Sequence, residues 1–320
     1  MKVLILLVFC IIPLASVGLG VKERDFTIHV ATWNVNGRKP SCISKLLGQN
    51  SVDNDKLPDM VIIGLQEVTT SPVQALSNFI AGERWSKAIK DNLGGKYKKI
   101  ESVALLGMIL NVFLKSDSAW ALEDAEVERE MTGLAGLYGN KGGVFMKFKL
   151  HGQKFCIVNA HFHAHDEGLS YRIQDYKEVN NGREEFCYVS SDYIFWLGDL
   201  NFRIQEKDEY SAQKIYRMIQ DKQLAALYQQ DQLKIAKDSG KIFRGYQEAS
   251  IKFAPTFKLV VDSGTYNLIR RPSWTDRVLY KSETQKTITT EVYESLESCT
   301  GSDHYPVLAR YQIKVNDGKK

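Results

Sequence analysis

A chain of 320 residues, 44% hydrophobic and 25% charged with 23 Gly and 7 Pro, is long enough to bury a real core, and this composition excludes disordered, collagenous and multi-span membrane classes. The formal net charge of +4 is small for that length. It excludes a general polycation that neutralises many nucleic-acid phosphates, so an anionic ligand has to be held by local charge.

The first residues differ from the rest. Lys2 precedes the apolar run Val3 to Leu14 and the small residues Ala15-Ser16-Val17-Gly18, the pattern of a secretory signal peptide with cleavage expected after Gly18 or Gly20. Residues 1–20 also read as a membrane anchor, since no charge falls between Lys2 and Lys22. If Cys10 leaves with that segment, Cys42, Cys156, Cys187 and Cys299 remain, an even number compatible with disulfides in a secretory compartment or with buried free thiols. Their pairing is open, and no zinc-type cysteine spacing occurs.

No repeat, low-complexity segment or linker divides the remainder, so one domain is expected over 23–314 with a short polar tail at 315–320. In chain order, strands are predicted at Thr27 to Trp33, Met60 to Gln66, Ser102 to Leu114, Gly143 to Leu150, Phe155 to Ala160, Tyr193 to Leu197, Arg277 to Tyr280 and Tyr305 to Ile313. Helices are predicted at Val73 to Lys90, Tyr171 to Val179 and Lys207 to Tyr228. Consecutive strands often lack an intervening helix, which points to a mixed, largely antiparallel pair of sheets with helices outside, an α/β (α+β) sandwich. Gly136, Gly139, Gly142 and Gly143 lie before a strand, the wrong place for a dinucleotide or P-loop fingerprint.

Polar side chains close several of the apolar runs, where a rigid sheet can aim them at one point. Asn34 follows Thr32-Trp33, and Glu67 ends Val61 to Gln66; oxygen donors of this kind suit Mg²⁺ better than zinc. His161, His163 and His165 alternate, which sets all three on one face if the strand continues. A di-zinc site is disfavoured, because His165-Asp166 reverses the required order and only His304 follows downstream; one functional His161 beside two structural histidines is expected. In Gly198-Asp199-Leu200-Asn201, Asp199 and Asn201 are spaced to share one water, the Asp as proton acceptor and the Asn amide as a guide. Asp276 beside His304 forms an acid–imidazole pair that favours the imidazolium.

In this order the segments resemble the inositol polyphosphate 5-phosphatase branch of the endonuclease/exonuclease/phosphatase, DNase I-like superfamily, from Thr27 to Tyr311. Thr32-Trp-Asn34-Val-Asn36-Gly37, Gly64-Leu-Gln-Glu67, Trp196-Leu-Gly-Asp199-Leu-Asn201 and Ser302-Asp303-His304 are superfamily motifs. Asn140-Lys141-Gly142-Gly143-Val144, Phe253-Ala-Pro-Thr-Phe-Lys258 and Arg271-Pro-Ser-Trp-Thr-Asp276-Arg277 carry the branch. The resemblance implies a four-layered sandwich, with Mg²⁺ held by Glu67 and supported by Asn34 and Asp303. It further implies attack prepared by Asp199 and Asn201, a transferring phosphoryl group bound by His304, Asp276 and His161, and other phosphates gripped by Lys141, Lys258 and Arg271.

The substrate it implies is an inositol phosphate or a phosphoinositide lipid, handled by a monomer with no nucleic-acid partner. A secreted nuclease and a non-catalytic phosphoinositide-binding effector are the competing readings. The run Val103 to Leu110 and the basic Lys96-Tyr97-Lys98-Lys99 admit peripheral membrane contact, or equally a core strand and a solvated turn. Four places depart from the family pattern: the histidine run, which reads Ala160-His-Phe162-His163-Ala-His, Ile173 in Arg172-Ile-Gln-Asp-Tyr176, Phe257 in place of Tyr and Thr275 in place of Cys.

Overall fold

The run Met60-Val-Ile-Ile-Gly-Leu-Gln66 lacks polar alternation because both of its faces are buried. Met60 and Ile62 face a central core, while Val61, Ile63 and Leu65 pack outward under a helix that carries Trp85 and Ile89. The computed structural model describes residues 23–49, 57–69, 75–133, 141–205 and 208–316. The proposed leader at 1–20, the helix start at Val73, Asn140, Lys207 and the end of the polar tail lie outside the described residues.

One sheet contains β1 (Glu23–Asn34), β2 (Met60–Gln66), β3 (Tyr97–Leu105), β4 (Met108–Lys115), β11 (Thr289–Ser295) and β12 (Val307–Asn316), in the order β11-β12-β1-β2-β4-β3. The other contains β5 (Leu122–Met131), β6 (Gly142–Leu150), β7 (Gln153–His161), β8 (Tyr193–Asp199), β9 (Gln247–Glu248) and β10 (Asp276–Lys281), in the order β5-β6-β7-β8-β10-β9. Their inner faces share one core that includes Phe26, Ile28, Phe155, Ile157, Phe195 and Leu197. Helix α1 (Ile43–Leu46) and α2 (Ala75–Leu93) cover the first sheet, and α3 (Leu169–Phe186) covers the second through Tyr176 and Val179. The result is the four-layered α/β sandwich.

Several expected elements are redrawn. The strand expected over Ser102 to Leu114 is the hairpin β3–β4, because Leu106 (φ 47°) and Gly107 (φ 83°) both turn through the left-handed region. Its Val103, Met108, Ile109 and Leu110 are buried, so the run Val103 to Leu110 serves the core. The helix expected over Lys207 to Tyr228 is two, α4 (Ala212–Gln220) and α5 (Leu224–Tyr228), broken where Lys222 adopts φ 57°. A further helix, α6 (Gln232–Asp238), starts on Asp231, whose side chain accepts from the Lys234 amide at 2.9 Å. None of the described helices is long and apolar enough to cross a membrane. The four cysteines form two disulfides, Cys42–Cys299 and Cys156–Cys187.

The sandwich gathers strand ends along one edge. β1 and β2 run parallel, as do β7 and β8, so Asn34, Gln66, His161 and Asp199 end their strands on the same side. β10 and β12 run antiparallel to these pairs and therefore begin there, with Asp276 directly across from Asp199 and His304 just ahead of Val307. Gly198 makes the turn possible: at φ 143°, an added Cβ would lie 1.9 Å from the Ala160 carbonyl oxygen.

A buried histidine in β1 sets an acid limit on stability. His29 is fully buried, its Nε2 2.8 Å from the Leu46 carbonyl oxygen, which makes Nε2 the protonated nitrogen. Burial, opposed by that hydrogen bond and aided by the Arg310 charge, pushes its pKa from 6.5 down to about 4. The folded state therefore binds fewer protons than the unfolded state between those values. The stability present above pH 6.5 falls as the pH drops toward 4, by roughly 3 kcal/mol for this group. Urea midpoints at pH 7.5 and 4.5 are expected to differ more for the natural chain than for His29→Gln; equal differences would remove His29 as the cause.

Candidate active site

Asp199 is the centre of the cluster. It is 1% exposed, its Oδ2 accepts from Asn34 Nδ2 at 2.9 Å, and its Oδ1 accepts from the Asn201 backbone N–H at 3.1 Å. His161 Nε2 lies 3.4 Å and His304 Nε2 3.9 Å from Oδ2. Burial alone would raise the Asp199 pKa, but the His161 hydrogen bond and the charges of His304, His161 and Lys141 hold it well below the ordinary carboxylate range. Asp199 is thus an anion throughout the neutral range.

His304 has the opposite environment. Its Nδ1 donates to Asp276 Oδ2 at 2.8 Å, and the same oxygen accepts from Thr256 Oγ1 (2.6 Å) and Thr275 Oγ1 (2.8 Å). Burial disfavours the imidazolium, but Asp276, by charge and hydrogen bond, and then Asp199 and Asp303 raise the pKa to about 9. The ring is fixed further by Phe257, 4.6 Å away between centroids, and by its own carbonyl, which accepts from Trp33 Nε1 at 2.9 Å. Thr275 thus works as a third donor to Asp276, beside His304 and Thr256, and Phe257 as an apolar wall.

The three histidines do not share a face, because β7 ends at His161. His161 Nε2 sits 2.6 Å from Lys141 Nζ and 3.7 Å from Glu67 Oε1, whereas His163 Nδ1 bonds Asp175 Oδ2 at 2.7 Å. His165 Nδ1 accepts from Arg270 at 2.8 Å. With three separate partners, they form no zinc site.

Of the three cations expected to grip phosphates, Lys141 is 9% exposed; burial lowers its pKa while Asp199 and Glu67 work against that shift. Lys258 pairs with Asp303, whose pKa is lowered against burial by His304 and Lys258. Arg271 is largely buried and donates to the carbonyls of Ile204 (2.6 Å) and Gln205 (3.2 Å). Asn201 is also engaged within the protein: Nδ2 donates to the Phe162 carbonyl at 3.0 Å, and Oδ1 accepts from Arg203. Its side chain therefore braces the Asp199 turn.

For a divalent cation, the chemistry of the donors fits. Asn34 Oδ1, Glu67 and Asp303 offer only hard oxygens, and Asp303 is kept ionised. Glu67 stands at φ 52°, a left-handed conformation that is unfavourable for a residue other than Gly or Asn, and the surrounding strands hold it there. Asp199, Asp276 and His304 also present ligand atoms within 4.8 Å of one another; Asp276 Oδ2 already accepts from the Thr and His donors, while its buried Oδ1 has no hydrogen-bond partner among the described residues.

Two buried groups escaped the sequence reading. Arg203 lies 4.5 Å from the Phe257 ring and donates to the Asn201 carbonyl at 3.0 Å, so it holds the base of the site. Asn159 links the sheets, accepting from Gln66 Nε2 at 2.7 Å and donating to the Leu65 and Ile109 carbonyls. The available signal was a polar residue inside the apolar run Phe155 to Ala160.

Residues 31–310 match the family model described as endonuclease/exonuclease/phosphatase family 2. Over 91% of its length the chain is 35% identical to the type II inositol 1,4,5-trisphosphate 5-phosphatase of Mus musculus and spans 30% of that relative. The inositol polyphosphate 5-phosphatase domain of SPsynaptojanin, solved with inositol (1,4)-bisphosphate and calcium, superposes with a TM-score of 0.81 at 27% identity, covering 92% of this chain and 86% of that one. A Cimex nitrophorin, solved as its ferrous NO complex, shares the fold with a TM-score of 0.74 at 24% identity, covering 91% of this chain and 99% of that one. By its family model, its sequence relatives and its fold, the chain belongs to endonuclease/exonuclease/phosphatase family 2, in the inositol polyphosphate 5-phosphatase branch.

Proposed function

We propose that the chain hydrolyses the 5-phosphate of inositol polyphosphates or phosphoinositide lipids with Mg²⁺ as cofactor. The observation that carries this reading is one buried anion, Asp199, enclosed by His161, His304 and Lys141 at the end of two parallel strand pairs. Asp199 orients a water toward phosphorus; in a loose transition state this positioning matters more than proton removal. The His304 imidazolium, held by Asp276, faces a phosphoryl oxygen, and His161 with Lys141 neutralises another. Mg²⁺ held by Glu67, Asn34 and Asp303 would supply stabilisation of the leaving alkoxide. Lys258 is 30% exposed and exchanges Asp303 for a ring phosphate, while Arg271 and Lys141 set the pocket's cationic wall. The relatives' printed names, 5-phosphatases of inositol 1,4,5-trisphosphate and of phosphatidylinositol 4,5-bisphosphate, support this substrate class.

The two disulfides support an oxidising compartment, and with it the secretory reading of residues 1–20. The expected result of a phosphate-release panel over soluble inositol phosphates and vesicle-borne inositides is Mg²⁺-dependent loss of the 5-phosphate only. Release from the 3- or 4-position, or nicking of plasmid DNA without inositide turnover, would reject the proposal.

A further inference from the structure

The connection 296–306 between β11 and β12 carries Asp303 and His304 but has no regular secondary structure. What holds it is a set of single contacts. Ser302 Oγ donates to the Asn34 carbonyl at 2.7 Å and accepts from the His304 amide at 3.3 Å, and Trp33 Nε1 donates to the His304 carbonyl. Leu259 N–H donates to the Asp303 carbonyl at 2.9 Å, and Asp262 N–H to the Thr300 carbonyl at 2.7 Å. At its head, Cys299 is bonded to Cys42, which precedes α1 in the loop that leaves Asn34. The two loops touch closely: a Cβ on Gly301 would sit 3.1 Å from Ser41 Oγ.

We infer that the Cys42–Cys299 disulfide is a positioning element of the active site, fixing the loop of Asp303 and His304 against the loop of Asn34. This rests on the function proposed above. The bond joins segments 257 residues apart; the β1–β12 ladder brings the roots of the two loops together as far as Thr32 and Val307, and beyond it the disulfide acts beside the Ser302–Asn34 and Trp33–His304 hydrogen bonds to hold the loops in register. Residue pairs that must meet around one small hard cation tolerate little displacement, and a misplacement of about 1 Å costs on the order of 100-fold in rate. The second disulfide makes a natural control. Cys156–Cys187 ties the middle of β7 to the residue that follows α3, and neither loop of the proposed cation site is involved.

The disulfide is within reach of a reductant. Cys42 is partly exposed, although Cys299 is buried, and a surface cavity of about 500 Å³ lined by Ser41, Cys42, Lys45, Asp262 and Thr300 opens beside it. The activity is thereby tied to oxidising surroundings.

The test compares Cys42→Ser/Cys299→Ser with Cys156→Ser/Cys187→Ser in the purified mature chain. Binding of Mg²⁺ alone is read by calorimetry and by the thermal shift it produces, and kcat and KM are read with inositol 1,4,5-trisphosphate. The first variant is expected to bind Mg²⁺ about tenfold more weakly and to lose about 10- to 100-fold in kcat, with KM within about threefold. The second is expected to melt earlier but to bind Mg²⁺ as the natural chain does. Unchanged Mg²⁺ affinity in the first variant, or equal weakening in both, overturns the inference. If the first variant does not fold, dithiothreitol reduction of folded Cys156→Ser/Cys187→Ser, with alkylation and mass mapping, gives the same comparison on a chain with only one disulfide to open. Absence of phosphate release from any inositide by the natural chain would reject the proposed function, while Mg²⁺ binding would still decide the role of the disulfide.

Discussion

Replacing Asp199 with Ala is expected to lower kcat for 5-phosphate release by roughly 10⁴-fold and to leave KM unchanged or lower. Asp199 is the shared partner of Asn34, His161 and the Asn201 amide, and it sits in line with the strand ends that carry the other polar groups. On the proposed mechanism, its loss removes the acceptor that orients the water, and with it the anion that balances the surrounding charges. The second consequence sets the sign for binding: His304 and Lys141 without their counter-charge attract a polyphosphate more strongly, so affinity does not suffer. A fall in kcat with a rise in KM of similar size would mean that Asp199 only maintains the pocket. Circular dichroism and the melting temperature of the variant check that the fold survives.

Much of this cluster of strand-end polar groups is legible in the sequence, for a physical reason. Asn34, Glu67 and Asp199 each close an apolar run, and a polar group at that position is costly unless it has a partner. The pairing of Asp276 with His304 was legible as chemistry, and the antiparallel entry of β10 and β12 brings it about in space. What the sequence hides is whatever depends on distant partners or on solvent. β5 was missed because it is an edge strand whose Glu123, Asp124, Glu126 and Glu128 face water, leaving no apolar period. β11 was missed for the same reason, with Thr289, Glu291 and Glu294 exposed. Cys42 and Cys299 give no local sign of their bond, and nothing beside Asn201 in sequence shows that its side chain reaches the Phe162 carbonyl and Arg203.

Arg277 is the clearest such case, and its removal carries the largest expected loss of stability. In sequence it only completes the segment Arg271 to Arg277, whereas in the fold its buried guanidinium bonds Asp231 Oδ1 at 2.9 Å and both oxygens of Glu248 at 2.6 and 2.7 Å. Arg277 and Asp231 side chains are 0% exposed and Glu248 is 2% exposed, so no water replaces a lost partner. Arg277→Met leaves two buried carboxylates uncompensated, at about 3–5 kcal/mol, which in a chain of this size lowers the melting temperature by about 10 °C. Burial raises the Asp231 pKa even with Arg277 opposing it, so without the guanidinium the carboxyl is protonated more readily and the deficit shrinks as the pH falls from 8 to 5. Adding Asp231→Asn and Glu248→Gln to Arg277→Met should return most of the loss, since Asn still caps α6 and neither amide carries a charge. A single variant that melts within about 2 °C of the natural chain would show that the triad contributes little. Because Arg277 adjoins Asp276 in β10, the same variant also reports how firmly that strand presents Asp276 to His304.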